Sequence, residues 1–198
     1  MPQKVIFATS NEGKLREARE ILGPDCEVVS QAEAGIEAEA AEDGDTFEEN
    51  ALQKVRALRP FTDAVIIADD SGLSVDALDG APGVRSARWM GHDTSYDVKN
   101  AKLLELLKDC SGQSRSARYV CAAAVSFPDG QEACALGTME GLIAEAPAGD
   151  GGFGYDPVFF VPEYGRTAAE LTADEKNALS HRGKAFRALS EVIKDHLI

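Results

Sequence analysis

The apolar residues of this chain follow two patterns, short β-branched runs and longer stripes with helical spacing. Strands are predicted at the apolar runs, residues 4–8, 26–30, 65–73, 117–127, 131–139 and 158–161. Helices are predicted where apolar residues recur every three or four positions, at residues 15–22, 47–58, 94–108 and in two segments between 172 and 197. One of these strands ends in charged residues, which makes it the first candidate for chemistry.

The strand predicted at Val65 to Leu73 runs directly into two acids, Asp69 and Asp70. Open α/β sheets place their ligands at the carboxyl ends of strands. Successive side chains of a strand point to opposite faces, so we expect one acid to face a site while the other braces the turn. A polar turn without function is the alternative, because Asp, Ser and Gly favour turns for local hydrogen-bonding reasons.

The polar loop from Thr9 to Lys14 is a second candidate, because it leads into a helix predicted to span Leu15 to Leu22. The start of a helix offers N–H groups and a positive dipole end to an anion, and Lys14 adds a full charge. The loop is not a Walker A loop, since Ala8 replaces its first glycine and Leu15 replaces the Ser or Thr that holds Mg²⁺. A helix cap without a ligand is the alternative.

Two Thr-x-x-Glu capping boxes, at residues 46–49 and 172–175, mark helix starts. Glu42 lies just before the first box, where an acid usually serves only the helix dipole. In the helix predicted at 94–108, we expect the apolar face to be buried. That face is formed by Val98, Ala101, Leu104 and Leu107.

The segment from Gly149 to Gly154 matches the dinucleotide-binding pattern G-x-G-x-x-G, but it is not expected to have that role. The pattern must follow a strand and open a helix, whereas this segment leads into the strand predicted at 158–161. We expect the glycines to let the backbone approach a ligand and to present Phe153 and Tyr155 for stacking on a base. The alternative is that both rings belong to the core.

The helical pattern near the end of the chain is interrupted at Ser180 to Gly183. His181 and Arg182 are therefore expected at a junction between two helices. Each alone is typical of a solvated helix end, but together with Lys176 they form a donor-rich cationic cluster in an acidic protein.

Composition limits the possible functions. A formal net charge of −14 over 198 residues argues against a nucleic-acid polymer as partner, because that binding requires Lys and Arg to neutralise phosphates. No apolar run approaches the roughly 20 residues of a membrane helix, and the N-terminus lacks a signal-peptide core. The four cysteines show neither paired nor metal-like spacing. We therefore expect a cytoplasmic protein with free thiols and without a membrane partner.

The candidate groups together indicate chemistry on a phosphate chain, since carboxylates beside an anion site suit Mg²⁺. No Ser–His or Cys–His nucleophile stands out in the sequence, so direct attack by water is the expected mechanism.

Six sequence blocks carry the candidate residues in a fixed order. They are Phe-Ala-Thr-Ser-Asn-Glu-Gly-Lys (7–14), Thr-Phe-Glu-Glu-Asn-Ala (46–51), Ala-Asp-Asp-Ser-Gly-Leu (68–73), Gly-Ala-Pro-Gly-Val (80–84), Gly-Gly-Phe-Gly-Tyr-Asp-Pro (151–157) and Ser-His-Arg-Gly (180–183). In sequence and order they resemble the inosine triphosphate pyrophosphatase family, whose members are also called XTP/dITP diphosphatases. The resemblance extends from Val5 to the last helix.

The resemblance implies an elongated α/β fold with a mixed sheet, in which one domain spanning residues 1–198 forms two lobes around a central cleft. It also implies a homodimer. The implied activity is Mg²⁺-dependent hydrolysis of ITP, dITP and XTP to the monophosphate and pyrophosphate, which removes deaminated purines from the nucleotide pool.

Site residues follow from the same resemblance. Asp70 would be the catalytic proton acceptor and would bind Mg²⁺ with Glu42, while Asp69 would brace the turn or make an outer contact with the metal. The residues implied to bind substrate are Thr9, Ser10, Asn11, Glu12, Gly13, Lys14, Lys54 and Ser71, together with Phe153, Gly154, Tyr155, Asp156, Lys176, His181 and Arg182. Two positions depart from the pattern, because many relatives have Gly at Ser10 and some have a second acid at Ala41.

Two other functions remain open from the sequence. One is a house-cleaning pyrophosphatase of the Maf type, which would act on modified pyrimidine nucleotides. The other is a catalytically silent nucleotide-binding regulator, which would bind ITP without turnover. A substrate panel with identified products separates all three.

Overall fold

The computed structural model describes residues 3–23 and 26–197, and only the backbone of Leu197. The strands within these residues are β1 Gln3–Phe7, β2 Cys26–Ser30, β3 Val65–Val75, β4 Ser116–Ser126, β5 Glu132–Ile143, β6 Phe159–Val161 and β7 Arg166–Thr167. The α-helices are α1 Glu12–Leu22, α2 Phe47–Leu58, α3 Tyr96–Leu106, α4 Ala173–Leu179 and α5 His181–Leu197.

The strands form one seven-stranded sheet in the order β2-β1-β3-β4-β5-β6-β7. Strand β1 pairs in parallel with β2 and β3, whereas β6 pairs antiparallel with β5 and β7. The mixed α/β fold predicted for the chain is confirmed. No helix in the described part of the chain is long and apolar enough to cross a membrane.

The chain divides into two compact units. The first contains the described residues up to Ser71 together with residues 121–137 and 180–197, and the second contains residues 72–120 and 138–179. Each unit has its own apolar core, formed in the second around Leu73, Leu103 and Phe159. The prediction of two lobes around a cleft stays a prediction.

The first unit has helices on both faces of its sheet, and strand alternation decides which side chains meet which helix. Odd-numbered residues of β1 and β3 pack against α1 and α5, and even-numbered residues pack against α2. The first set includes Val5, Phe7, Val65 and Ile67, and the second includes Ile6, Ile66 and Ala68. Continued along β3, the same alternation directs Asp69 towards α1 and α5, and Asp70 towards α2.

Several element boundaries differ from the predictions. Helix α1 begins at Glu12 and not at Leu15, because the Asn11 side chain accepts the Lys14 N–H at 3.1 Å and caps the helix earlier. Strand β3 continues to Val75, two residues beyond the predicted end at Leu73. A turn follows at Asp79-Gly80, where the φ angles are 51° and 84°.

The buried face predicted for α3 is wrong in part. Val98 is 50% exposed, whereas Lys99 and Asn100 are buried beside Leu103. The two polar side chains can be buried because both have partners. The Lys99 ammonium donates to the Ala87 carbonyl at 2.6 Å, and the Asn100 amide donates to the Gly154 carbonyl at 3.1 Å.

Three further local predictions are confirmed. Both capping boxes form, at Thr46 with Glu49 and at Thr172 with Glu175. The segment from Gly149 to Gly154 leads to β6 and not into a dinucleotide-binding helix. Helix α4 ends at Leu179 and α5 begins at His181, which is the predicted junction.

Candidate active site

Asp70 is held by two side chains of α2. The Asn50 amide donates to Asp70 Oδ2 at 3.0 Å, and the Lys54 ammonium lies 3.4 Å from Oδ1. Asn50 and Lys54 are four residues apart, so one helix face presents both to the even-numbered side of β3. Asp70 is only 7% exposed.

Glu42 is brought to the same place by the loop before α2. Its Oε2 lies 3.2 Å from Lys54 Nζ, which also donates to the Asp69 carbonyl at 3.0 Å. Asn50 anchors this loop as well, because its Oδ1 accepts the Gly44 N–H at 2.9 Å. The carboxylates of Glu42 and Asp70 therefore converge on one ammonium group.

Burial and charge shift the pKa values of this cluster. Burial and, to a smaller extent, the charge of Asp69 raise the pKa of Asp70 above its usual value, although Lys54, Lys14 and the Asn50 hydrogen bond lower it. Burial lowers the pKa of Lys54, but the charges of Asp70, Asp69 and Glu42 outweigh it and raise that pKa overall. Asp70 is thus a stronger base than an exposed aspartate, beside a lysine that keeps its charge.

The donor set fits Mg²⁺. In the described chain no three His, Cys, Asp or Glu side chains form a ready-made metal cage. Mg²⁺ is, however, usually held by one or two carboxylates together with water and substrate phosphates. Glu42 and Asp70 supply two hard oxygen ligands of that kind.

Asp69 points to the opposite face, as strand alternation predicts, and lies in a buried ion network. Its Oδ2 is 3.0 Å from Lys14 Nζ on α1 and 3.2 Å from Arg182 Nε on α5, and it accepts the Ser71 hydroxyl at 2.6 Å. Arg182 also donates through Nη1 to Glu17 and through Nη2 to Ser71. Asp69 and Arg182 are 1% and 2% exposed, so α1, β3 and α5 meet through charges removed from water.

The network fixes the ionisation of its members. Burial would raise the pKa of Asp69, but the charges of Lys14, Arg182 and Lys54 and the Ser71 hydrogen bond outweigh it and hold that pKa well below its usual range. Burial and the Asp69 charge raise the pKa of the Cys121 thiol to about 12. Asp69 is therefore a permanent anion, suited to hold cations and not to accept a proton.

In the predicted anion loop, residues 9–14, the side chains of Thr9 and Asn11 make hydrogen bonds within the loop and to the start of α1. Thr9 Oγ1 accepts the Asn11 N–H at 3.1 Å, and the Asn11 side chain caps α1. Ser10, Asn11 and Glu12 are exposed, and Gly13 and Lys14 lie within the first turn of the helix. Backbone groups and the Lys14 ammonium are thus what this segment can offer to an anion.

The second unit contains the glycine loop, which is organised by Asp156. This buried carboxylate accepts the Phe153 N–H and the Lys176 ammonium at Oδ2, both at 2.8 Å, and the Tyr119 hydroxyl at Oδ1 at 3.2 Å. Lys176 Nζ also lies 4.9 Å from the centre of the Phe153 ring. Gly152 has a φ of 69°, and a Cβ there would overlap the Asp156 carboxylate, so the loop requires glycine.

The two aromatic residues of this loop have different environments. Phe153 is partly exposed, whereas Tyr155 is 3% exposed and belongs to the apolar core of the second unit. The Tyr155 ring packs edge-on against Tyr96 with centroids 5.2 Å apart, and its hydroxyl donates to the Ser86 carbonyl at 2.9 Å. The core alternative therefore applies to Tyr155, whose ring supports the loop, and Phe153 is the ring that can stack on a base.

The predicted donor cluster is divided between the two units. Lys176 belongs to the second unit and pairs with Asp156. His181 and Arg182 belong to the first, where both side chains are buried at the start of α5. The guanidinium of Arg182 is engaged by Asp69, Glu17 and Ser71.

Three residues with structural roles at these sites were not predicted. Asn50 orients Asp70, Glu17 pairs with Arg182, and Tyr119 donates to Asp156. Helical spacing could have indicated the first two, because Asn50 lies one turn before Lys54 and Glu17 lies three residues after Lys14. Tyr119 is on β4, far from Asp156 in sequence, and no local pattern links them.

Comparison with known proteins gives a consistent result. The model of the Ham1 family matches residues 5–192. A dITP/XTP pyrophosphatase of Desulforamulus reducens is 47% identical over 192 residues, which cover 96% of this chain and 95% of that protein. A dITP/XTP pyrophosphatase of Bacillus subtilis is 46% identical over 193 residues, covering 97% and 98%. The solved structure of the Staphylococcus aureus Ham1 protein aligns with a TM-score of 0.86 and 37% identity, covering 98% of this chain and 100% of that one.

Proposed function

Since this chain belongs to the Ham1 family, as its six sequence blocks predicted, we propose that it hydrolyses dITP, ITP and XTP to the nucleoside monophosphate and pyrophosphate. One observation carries the proposal at the level of the site. Glu42 and Asp70 converge on a single cation, in the unit whose strand–loop–helix segment carries Lys14 in the first turn of its helix. Relatives that are 46–47% identical are named for this activity.

The phosphate chain is bound in the first unit. Lys14 and the first-turn N–H groups of α1 attract its charge, and Lys54 on α2 adds a second ammonium group. Glu42 and Asp70 would hold Mg²⁺ together with the substrate phosphates, and the ion would supply positive charge against the negative charge that develops on the phosphate oxygens.

Asp70 acts as the general base. Its carboxylate removes a proton from water as the water oxygen bonds to a phosphorus of the α–β anhydride. The bond between that phosphorus and the bridging oxygen breaks, and the bridging oxygen leaves with the electron pair. The raised pKa of Asp70 makes it a better proton acceptor, and Asn50 keeps the carboxylate in one orientation.

The purine contact that the resemblance assigns to the glycine loop is Phe153, which offers a ring for stacking. Lys176 donates hydrogen bonds beside that ring and is itself fixed by Asp156. Hypoxanthine and xanthine present a carbonyl acceptor at position 6, whereas adenine presents an amino donor. The amino group of adenine would face the Lys176 ammonium donor to donor, and such a mismatched polar contact costs about 1–3 kcal/mol.

The function is tested with a panel of dITP, ITP, XTP, ATP, GTP and dUTP in the presence of Mg²⁺, with products identified by ³¹P NMR. We expect pyrophosphate and the monophosphate from the first three, and kcat/KM for ATP lower by about tenfold to several hundredfold. Chelation of the metal should stop turnover. Orthophosphate as the first product, or a preference for dUTP, would contradict the proposal.

Asp156→Asn should weaken substrate binding more than catalysis. The amide cannot accept from Lys176 and the Phe153 N–H with the strength of a carboxylate, and such charged hydrogen bonds contribute about 1.5–3 kcal/mol. We expect KM for dITP to rise by about ten- to a hundredfold, with kcat changed much less. Asp150→Asn, an exposed acid in the same segment, is the matched control and should keep the wild-type KM. A fall of kcat in Asp156→Asn as large as the rise in KM would contradict a binding role for Asp156.

The resemblance further supports a homodimer that acts in the cytoplasm, and we include both in the proposal. Sedimentation equilibrium at micromolar concentration should give twice the mass of the chain. A monomer at that concentration would contradict the proposed homodimer.

A further inference from the structure

The ammonium group of Lys54 has an unusual set of neighbours for a residue assigned to substrate. It lies 3.2 Å from Glu42 Oε2, 3.4 Å from Asp70 Oδ1 and 3.0 Å from the Asp69 carbonyl oxygen. The Lys54 side chain is 13% exposed. Three hard oxygens, two of them charged, thus surround one cation of the protein itself.

The same two carboxylates are the ligands that the proposed function assigns to Mg²⁺. A magnesium ion binds oxygens at about 2.0–2.1 Å and requires them to converge on itself. The Lys54 ammonium contacts one oxygen of each carboxylate, Glu42 Oε2 and Asp70 Oδ1, and occupies the space between them. A metal ion that binds these same two oxygens needs that space, so the lysine competes with the metal in the protein without nucleotide.

We propose that Lys54 is a resident cation, which holds the carboxylates of Glu42 and Asp70 until a triphosphate draws its ammonium group away, so that metal and nucleotide bind together. The inference rests on the proposed metal site. Lysine suits this role because its charge is carried on a flexible four-carbon stem. The triphosphate offers the ammonium group new anionic partners, and the carboxylates then become available.

Asn50 keeps Glu42 and Asp70 in place while the metal ion replaces the Lys54 ammonium between them. It donates to Asp70 Oδ2 at 3.0 Å and accepts the Gly44 N–H at 2.9 Å, so it fixes both Asp70 and the loop that carries Glu42. These contacts do not involve Lys54. The two carboxylates therefore keep their places when the lysine leaves, and α2 need not move.

The test measures Mn²⁺ binding by electron paramagnetic resonance in the absence of nucleotide. Wild-type protein should bind Mn²⁺ weakly, and Lys54→Met should bind it at least about tenfold more tightly, within the range typical of coupled sites. Lys54→Arg keeps the cation and should bind as weakly as the wild type. Lys102→Met removes a charge from an exposed pair with Glu105 and should leave the affinity unchanged.

Two further measurements keep the proposal falsifiable if the Met variant folds poorly. Lys54→Gln retains polar contacts and should show the same gain in affinity. In the wild type, a triphosphate analogue with a non-hydrolysable α–β linkage should increase Mn²⁺ affinity by at least about tenfold. Equal Mn²⁺ affinity in the wild type and in both neutral variants would overturn the proposal.

A double variant tests where the Lys54→Met protein binds the additional Mn²⁺. Glu42→Gln in the Lys54→Met background should abolish the gain, and a gain that persists would place the metal elsewhere and overturn the proposal. The substrate panel decides the proposed function independently, since the Mn²⁺ titration of the variants contains no nucleotide. Pyrophosphate release together with equal Mn²⁺ affinities would leave the enzyme assignment intact and remove only the role of Lys54.

Discussion

Replacement of Asp70 by asparagine is expected to lower kcat for pyrophosphate release by about a thousandfold or more, because the variant lacks both the proton acceptor and a metal ligand. General bases alone contribute about 10²- to 10⁴-fold. The amide retains the shape of the carboxylate, and its single acceptor oxygen can keep the hydrogen bond from Asn50 or the one from Lys54, but not both. Burial already disfavours the charge of Asp70, so we expect the free energy of unfolding to change by less than about 1 kcal/mol.

The measurement is single-turnover hydrolysis of dITP at saturating Mg²⁺, with thermal unfolding recorded on the same samples. Asp63→Asn is the matched control, since Asp63 is an exposed acid shortly before the same strand. It should retain the wild-type rate. A rate within threefold of the wild type in the Asp70 variant would remove Asp70 from the role of general base.

The orientation of Asp69 and Asp70 was predicted correctly from the alternation of side chains along a strand. Two adjacent acids of one strand must face opposite sides, and the structure places Asp70 towards α2 and Asp69 towards α1 and α5. They lie in the middle of β3 and not at its end, because the strand continues to Val75. Which acid faces which layer could not be derived from the strand alone. That depended on which helices cover each face, a property of the whole sheet.

Helix faces were predicted less well where polar side chains are buried. Hydrophobic spacing assigned Val98 to the core of the second unit, but α3 buries Lys99 and Asn100. The Lys99 ammonium and the Asn100 amide N–H each donate to a carbonyl oxygen of a distant segment, at Ala87 and Gly154. A rule based on hydrophobicity counts such residues as exposed, because their partners are not visible in the local sequence.

The assignment of Tyr155 shows a related limit. Phe153 and Tyr155 share one glycine loop, yet only Phe153 remains partly exposed. The difference arises from Tyr96 and Ser86, which provide a ring contact and a hydrogen-bond acceptor for Tyr155. Sequence could predict that the loop presents aromatic residues, but the choice between them depends on tertiary contacts.

Arg182→Met is expected to lower the free energy of unfolding by about 3–5 kcal/mol, the cost typical of removing one partner from a buried ion pair. The guanidinium holds Asp69 on β3 and Glu17 on α1, and both carboxylates are almost inaccessible to water. Methionine fills similar space but leaves these charges without that partner. Guanidinium chloride unfolding at neutral pH measures the loss, and Arg187→Met, an exposed position on the same helix, should cost much less.

The same loss should depend on pH in a definite direction. The pKa of Asp69 in the folded protein is held below its unfolded value of about 3.9, so its ion pairs stabilise the fold above that pH and lose their contribution as the pH falls. The difference between the wild type and Arg182→Met should therefore be largest near neutrality and should shrink in acid. The loss is complete only when the pH has fallen through the low pKa of Asp69 in the folded protein, and a difference that stays constant down to that pH would mean that packing, and not charge, accounts for the effect.

A double-mutant cycle measures how much of the stability lost in Arg182→Met comes from the ion pair of Arg182 with Glu17. Glu17→Gln removes the second carboxylate held by Arg182 and keeps the size of the side chain. Neither charge of the Glu17–Arg182 pair remains in the double variant. We expect Glu17→Gln with Arg182→Met to lose less stability than the sum of the two single changes, by about 0.5–3 kcal/mol. Strict additivity would show that Glu17 and Arg182 act independently, and the network would then be assigned to Asp69 alone.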